Sequence, residues 1–507
     1  MKGLLQTTLP IAPLLSIATS TGTPCSLLPT PSIPGASILA FTANSVTNLT
    51  VPASLGVAAT SPLSFCNVTV VHTHPGDNDT VTAFIWLPIP SLWNNRFQAI
   101  GGGGYATGSG PFGLGPSVQA GFSSATTDGS NIGAPSGFAI NPAFLLPNGS
   151  IAYPLLEDYA GRSLHDMALL GKSVTESYYG TPAKYSYWNG CSTGGREGYT
   201  EAQRYPTDFN GILANAPAIN MVKIPFSIGW PYEVMAQQQT VPPQCILDAF
   251  SYAAIALCDG LDGVLDGVIS DTANCHFTPY SIVGHSIPCT ETGTNVTVTK
   301  AHALIATKIL QGPRAPNGTQ LWYGYPPGSG LSDLFVIPPV ETLPNGTTIP
   351  IADPLYSNFI EYFMFQNPNY DISSISYSEY ASVFNEAVSE YGAILETDNP
   401  DLSAFRDAGG KIITWHGMAD DLIPPSGTLN YRRRVEKLMG GAETVDEFYR
   451  LFMVPGVAHC GGGLGALPTD EQEKLMAWVE EGVVPQTLDA QKVEGGARKG
   501  GSTMTCY

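Results

Sequence analysis

The sequence predicts an α/β fold, a largely parallel sheet flanked by helices and interrupted by one large insertion, and three observations predict it. An aromatic, β-prone run from Tyr185 ends in Gly190-Cys191-Ser192-Thr193-Gly194 and passes into a helix-compatible segment reaching about Gln203, which reads as strand, sharp turn and helix. Apolar positions at helical spacing over 161–180 precede that strand as a crossover helix should, and Phe209–Ala218 reads as the next parallel strand. The alternation then lapses from about 219 to 408, a stretch rich in Pro, Gly and Tyr, and returns at Gly410–His416. An insertion of that length between sheet strands reads as a lid domain over the active-site edge.

The chain has 507 residues, 43% hydrophobic and 13% charged, enough for a large buried core and far from a disordered composition. Its formal charge of −20 repels nucleic acid and anionic membrane surfaces, so neither is expected as a partner, and a homodimer is left open. Residues 1–20 carry one lysine, a short apolar stretch and small residues at Ala18 and Ser20, the pattern of a secretory signal peptide weakened by Pro10 and Pro13. N-x-[ST] sequons at Asn48, Asn67, Asn78, Asn148, Asn295, Asn317 and Asn345 agree with secretion through a glycosylating pathway, although any one could be accidental. Nine cysteines fit an oxidising compartment, and the odd count leaves one without an intramolecular partner. No uninterrupted apolar stretch reaches the ~18 residues that span a bilayer.

In chain order, residues 22–90 hold alternating runs such as Val68–His72 and Val81–Trp86, a β-rich opening. Arg96–Ile100 then runs as a strand into Gly101-Gly102-Gly103-Gly104, whose bare backbone N–H groups suit one half of an oxyanion hole, Gly102 and Gly103 being the candidates. A flexible surface loop is the plainer reading of those glycines taken alone. At the elbow, G-x-S-x-G holds a serine on a strained turn that only small neighbours permit, which makes Ser192 the candidate nucleophile and the Thr193 N–H the second oxyanion donor.

A second coincidence strengthens the motif. Cys191 precedes Ser192, and Cys460 follows His459 far downstream. If Ser192 and His459 meet as nucleophile and base, their neighbours come within reach of a disulfide. A strand over 411–416 leads to Asp420 and Asp421, and a last strand, Tyr449–Val454, leads to His459, giving the order Ser, Asp, His of an α/β-hydrolase fold with a large inserted lid domain. His72, His74, His165 and His416 have no comparable tie. Within the insertion, Asp259, Asp262 and Asp266 alternate with glycines and resemble a calcium loop completed by the Val264 and Val268 carbonyls. The spacing is not that of an EF-hand, and an Asp-Gly turn cluster without metal remains the alternative.

Gly190–Gly198, Ala202–Ile212, Ala214–Ala218, His416-Gly-x-x-Asp420-x-x-Ile-Pro-Pro and His459-Cys460 together resemble the tannase and feruloyl esterase family over most of the chain. The resemblance implies that Asp420, rather than Asp421, is the acid partner of His459. It implies a structural calcium ion at Asp259, Asp262 and Asp266, and disulfides Cys258–Cys275 and Cys25–Cys66 beside Cys191–Cys460. Cys245, Cys289 and Cys506 stay open. The implied substrates are phenolic-acid esters, feruloyl or other hydroxycinnamoyl esters first and galloyl esters as the alternative; the rival function, from another class, is a catalytically silent hydrolase-fold binding protein. Two departures stand out: Asn215 occupies a position commonly glycine in the family, and the sequence stops just after Cys506 where relatives continue to another cysteine. The expected organisation is a signal peptide over 1–20, a catalytic domain over 21–218 and 409–507, and a lid over 219–408.

Overall fold

The computed structural model describes residues 22–53, 59–134, 137–329, 331, 339–494 and 497–505. The expected signal segment and Cys506 lie outside the described residues. The chain opens with three antiparallel strands, β1 (Ser37–Leu49), β2 (Leu63–Thr73) and β3 (Val81–Pro88). It continues through β4 (Arg96–Gly103), a short β5 (Ala106–Gly108), β6 (Ser123–Thr127), β7 (Tyr185–Cys191) and β8 (Gly211–Asn215). After β9 (Ser286–Cys289) with β10 (Thr294–Thr297), and β11 (Val340–Thr342) with β12 (Thr348–Pro350), which form two separate hairpins, β13 (Lys411–Gly417) and β14 (Tyr449–Val454) rejoin the main sheet. Its order is β1-β2-β3-β6-β4-β7-β8-β13-β14, and every neighbouring pair from β6 to β14 is parallel.

The parallel strands are apolar on both faces because helices cover both. All of β8 is buried, as is β13 after its first residue. The crossover helix Ser163–Tyr179 delivers β7 and stops at Gly180, which takes a left-handed φ of 73°. It packs closely enough that a Cβ at Gly171 would stand 2.5 Å from the Phe97 ring.

Between β8 and β13 the structure is more helical than the sequence suggests. Helices Ile224–Gln238, Gln244–Cys258, Lys300–Gln311 and Tyr377–Leu395 carry the insertion. Their apolar faces meet in an aromatic core, with Phe226 packed edge-on against Tyr356, Phe359, Tyr380 and Phe384. That core is continuous with Tyr105, Ile132, Phe144 and Leu156 from before the elbow and with Leu422 and Ile423 after β13, so the insertion shares one hydrophobic interior with the loops of the sheet. The segment Gln244–Asp262 is long and apolar enough to cross a membrane by length and composition, yet Ile246, Leu247, Phe250 and Ala254 along it are buried in the protein.

Four disulfides are present among the described residues. Cys25–Cys66, Cys191–Cys460 and Cys258–Cys275 pair as expected, and Cys245–Cys289 joins two of the cysteines left open by the sequence. Asn48, Asn78, Asn148, Asn295, Asn317 and Asn345 are exposed, and Asn67 is half-buried on β2.

Candidate active site

The turn between β7 and the helix Thr193–Arg204 places Ser192 at φ 64° and ψ −123°, a conformation that L-residues rarely adopt. Surrounding backbone fixes it there. Ser192 N–H donates to Asn215 O at 3.0 Å, while Ser192 O accepts from Arg196 N and Ala218 N, both at 3.0 Å. The glycines leave no room for larger residues: a Cβ at Gly190 would lie 2.4 Å from Gly194 O, and one at Gly195 would lie 2.7 Å from Asn215 O. Asn215 itself is accommodated, its side chain buried and its Oδ1 3.5 Å from Trp415 N on the adjoining strand.

The three residues singled out from the sequence meet at the carboxyl ends of the strands. His459 Nε2 is 2.9 Å from Ser192 Oγ, and His459 Nδ1 is 2.9 Å from Asp420 Oδ2. Ala419 N donates to Val457 O at 3.0 Å, so the loops bearing Asp420 and His459 are bonded to each other before their side chains meet. The Cys191–Cys460 disulfide closes the same group from the outer side.

Asp420 is fully buried and heavily solvated by the protein. Its Oδ1 accepts from Leu422 N at 2.9 Å and Ile423 N at 2.8 Å, and its Oδ2 accepts from His416 Nε2 at 3.0 Å as well as from His459. Burial alone would push its acidity down, but the His459 charge and the two histidine hydrogen bonds outweigh that and hold the carboxyl well below the usual range. For His459 burial opposes protonation, while the charge and hydrogen bond of Asp420, aided by Asp421, raise the imidazole above its ordinary value of 6.5. Asp421, largely buried beside Asp420, is pushed up to about 7 by burial and then by that neighbouring charge. Of the two neighbouring aspartates, Asp420 is the one whose side chain hydrogen-bonds the His459 imidazole.

Two residues of this site went unrecognised in the sequence. His416, on β13, donates to Asp420 and is itself held by Thr428 Oγ1 at 2.9 Å; its four-residue spacing from Asp420 was the available signal. Glu197 is completely buried under the glycine loop, and burial pushes its carboxyl up to about 8 despite Arg196 and the Gly102 amide.

Glu197 also corrects one expectation. Gly102 N–H donates to Glu197 Oε2 at 2.9 Å, so it is not free to face an oxyanion. Gly103 pairs with Ala106 in the β4–β5 ribbon, and the loop residue that lines the cavity beside Ser192 is Gly104. The Thr193 N–H occupies the first position of its helix, where no intrahelical acceptor exists. Its hydroxyl donates to Gly104 O at 2.6 Å and ties the two halves together.

Asp259, Asp262 and Asp266 lie on an exposed turn closed by Cys258–Cys275. Asp259 Oδ1 accepts from Asp266 N and Gly267 N, both at 3.1 Å; Asp262 Oδ1 accepts from Val264 N at 2.9 Å, which with Ser270 holds Asp262 below its usual range. Among the described residues these carboxylates are not one of the groups whose ligand atoms all fall within 4.8 Å of each other. The donor set nonetheless suits a hard cation, being carboxylate and carbonyl oxygens on a tightly turning backbone. The turn leans on the loop before His459, for a Cβ at Gly456 would lie 2.2 Å from Val268 Cγ1. The cavity between them, lined in part by Val268, Met418 and Ala458, has a volume of about 190 Å³ against about 20 Å³ beside Ser192, but it does not reach the serine.

A family model described as tannase and feruloyl esterase matches residues 66–507. The "Probable feruloyl esterase" of Arthroderma benhamiae is 42% identical over 500 residues, 96% of this chain and 90% of that protein. The "Tannase" of Aspergillus oryzae is 30% identical over 519 residues, 92% and 85% of the two chains. Among solved structures, tannin acyl hydrolase from Aspergillus niger superposes with a TM-score of 0.86 at 31% identity, covering 95% of this chain and 90% of that one. Feruloyl esterase B from Aspergillus oryzae gives 0.74 at 26% identity, covering 94% and 93%. Matched by that family model over most of its length and by these relatives over nearly all of it, the chain belongs to the tannase and feruloyl esterase family of carboxylic ester hydrolases.

Proposed function

We propose that this protein is a secreted serine esterase that cleaves hydroxycinnamoyl esters such as feruloyl esters through an acyl-enzyme. The observation that carries the chemistry is the continuous hydrogen-bonded line Ser192–His459–Asp420, opening on a cavity beside the serine. His459 Nε2 takes the Ser192 proton as Oγ attacks the ester carbonyl, and Asp420 fixes the imidazole with its Nδ1 proton facing the carboxylate. The oxyanion is held by the Thr193 N–H and an N–H of the 101–104 loop other than that of Gly102. His459 returns its proton to the leaving alcohol, and water, activated the same way, releases the acid.

The acyl preference rests on the cavity wall. Met221, Ile224, Ile228, Leu355, Leu422 and Ile423 line it. The side-chain hydroxyls of Tyr105 and Thr193 are already donated to Leu355 O and Gly104 O. An aromatic acyl group with one hydroxyl fits such a wall, whereas the three hydroxyls of a galloyl group would lose water without gaining partners, at about 1–3 kcal/mol for each one left unpaired. Hydrolysis of methyl ferulate and methyl gallate by wild-type and Ser192→Ala protein tests this reading. Ferulate cleavage that exceeds gallate cleavage and vanishes in the variant is expected; faster gallate cleavage would reassign the substrate, and full activity in Ser192→Ala would end the mechanism.

The calcium ion belongs to the same proposal, with Asp259, Asp262, Asp266 and the carbonyls of Val264 and Val268 as its ligands. When bound it would screen the clustered carboxylates and stiffen the turn that packs on Gly456. Chelation is expected to lower the melting temperature by several degrees, with recovery on adding Ca²⁺. An unchanged transition would remove the ion from the account. Secretion and N-glycosylation, supported by the disulfides and by exposed sequons, complete it.

A further inference from the structure

Beneath the antiparallel edge of the sheet, away from the elements that carry Ser192, lies a second group of ionisable side chains. His72 is the penultimate residue of β2 and His74 follows two residues later, a spacing that turns both imidazoles to one face. Asp166, in the first turn of the crossover helix Ser163–Tyr179, comes up against them. His74 Nε2 is 2.9 Å from Asp166 Oδ2, and His72 Nε2 is 3.4 Å from the same oxygen. The ligand atoms of the three residues all lie within 4.8 Å of one another.

A bridging imidazolium explains half of this arrangement. His74 Nδ1 is 2.5 Å from Asp79 Oδ2 while its Nε2 faces Asp166, so a protonated His74 could simply join two carboxylates. That leaves His72 without a role. Its side chain is wholly buried, its Nε2 points at Asp166, and neither ring nitrogen has a hydrogen-bond partner. A buried, unpartnered imidazole costs free energy unless something in the cluster answers it.

We propose that His72 Nε2, His74 Nε2 and Asp166 Oδ2 bind a divalent transition-metal ion of the zinc class. Two imidazole nitrogens and one carboxylate oxygen are a donor set such ions favour, and ligand atoms around a tetrahedral zinc stand roughly 3.3 Å apart, close to the two separations seen here. The outer contacts are in place as well. Asp79, fixed by Thr73 Oγ1 and His74 N at 2.8 Å each, accepts the His74 Nδ1 proton and so directs the lone pair of Nε2 inward. The neighbouring trio of His74, Asp79 and Asp158 is a poorer site, because Arg162 Nε already occupies Asp158 Oδ1 at 2.6 Å and would repel a cation. The ion would fasten β2 to the crossover helix, a structural role independent of ester hydrolysis.

The test uses the full chain, stripped of metal and returned to excess Ca²⁺ so that oxygen-only sites stay filled, then titrated with Co²⁺. One equivalent of cobalt with the visible absorption of a nitrogen-ligated site, displaced by Zn²⁺, is expected. His72→Phe should weaken cobalt binding by about 100-fold or more, and Asp79→Asn by about 10–100-fold, with ester hydrolysis unchanged. If His72→Phe does not fold, as judged by circular dichroism, His72→Gln takes its place. No nitrogen-ligated band in saturated wild-type protein, or an equal affinity in the folded His72 variant, overturns the proposal.

Discussion

The sheet and the inserted helical segment are stabilised by different means. Around the elbow, tolerance is measured in tenths of an ångström: glycine backbones touch, Ser192 is held in a strained conformation by its neighbours, and Asp420 is saturated with hydrogen bonds. The insertion is a cluster of large aromatic side chains on amphipathic helices, tied by Cys245–Cys289 and Cys258–Cys275. Close backbone packing fixes reacting atoms, which tolerate little displacement. Side-chain packing fills volume and can be reshaped without losing the fold. Under the proposed function, the chemistry falls to the rigid region and much of the acyl-group recognition to the adaptable one.

Substitutions can break or sharpen that contrast. The largest effect is expected on the sheet side of the site: Asp420→Asn should lower kcat by about 10³–10⁴-fold with little change in KM, because His459 loses both its orientation and its counter-charge. Steady-state kinetics on methyl ferulate would show it, and a loss under tenfold would mean another group orients the imidazole. Next come paired glycine variants. Gly190→Ala should destabilise by about 3 kcal/mol or more, since its Cβ must enter the space of the Gly194 carbonyl. Gly392→Ala, on the lid helix Tyr377–Leu395, meets nothing nearer than 4.0 Å and should stabilise by about 0.5–1 kcal/mol. Thermal unfolding of the two variants compares the regions directly.

A smaller effect is expected from changing the lid wall. Met221→Gln gives the cavity a hydrogen-bonding group and should raise the gallate-to-ferulate ratio of kcat/KM by about tenfold, while leaving the proton relay intact. A fall in both rates alone would assign Met221 to packing. The smallest is a shift along the pH axis. His459 must be neutral to accept the Ser192 proton, and its folded value is raised, so activity should fall as the pH drops through a value above 6.5. Asp421→Asn removes a negative neighbour that helps raise it and should move this acid limb to lower pH. A shift to higher pH would contradict the sign of that interaction.

Much of the sheet region could be read in the sequence because its constraints are local. A strained serine demands glycines at fixed positions, and the adjacency of Cys191 to Ser192 and of Cys460 to His459 encoded a long-range contact in two dipeptides. The residues that escaped act through space. Glu197 sits in a helix whose Arg-Glu-Gly sequence resembles a solvated face, yet it is buried and captures the amide of Gly102. His416 looked like any strand histidine until the chain folded back and set Asp420 against it. The insertion's helices were obscured by Pro, Gly and Tyr in their connections and by Pro231 inside one helix, where tertiary aromatic packing overrides propensity.

The Cys191–Cys460 bond bears on how the protein can be made and assayed. It joins residues 269 apart, a closure worth on the order of 5 kcal/mol in chain-entropy terms, at the two positions directly bonded to the nucleophile and the base. Material from a reducing cytoplasm would lack that tether where the chemistry is most sensitive to it, even with the lid and outer strands well formed. Titrating active serines would then count oxidised molecules, and specific activity would serve as a gauge of a batch's thiol history.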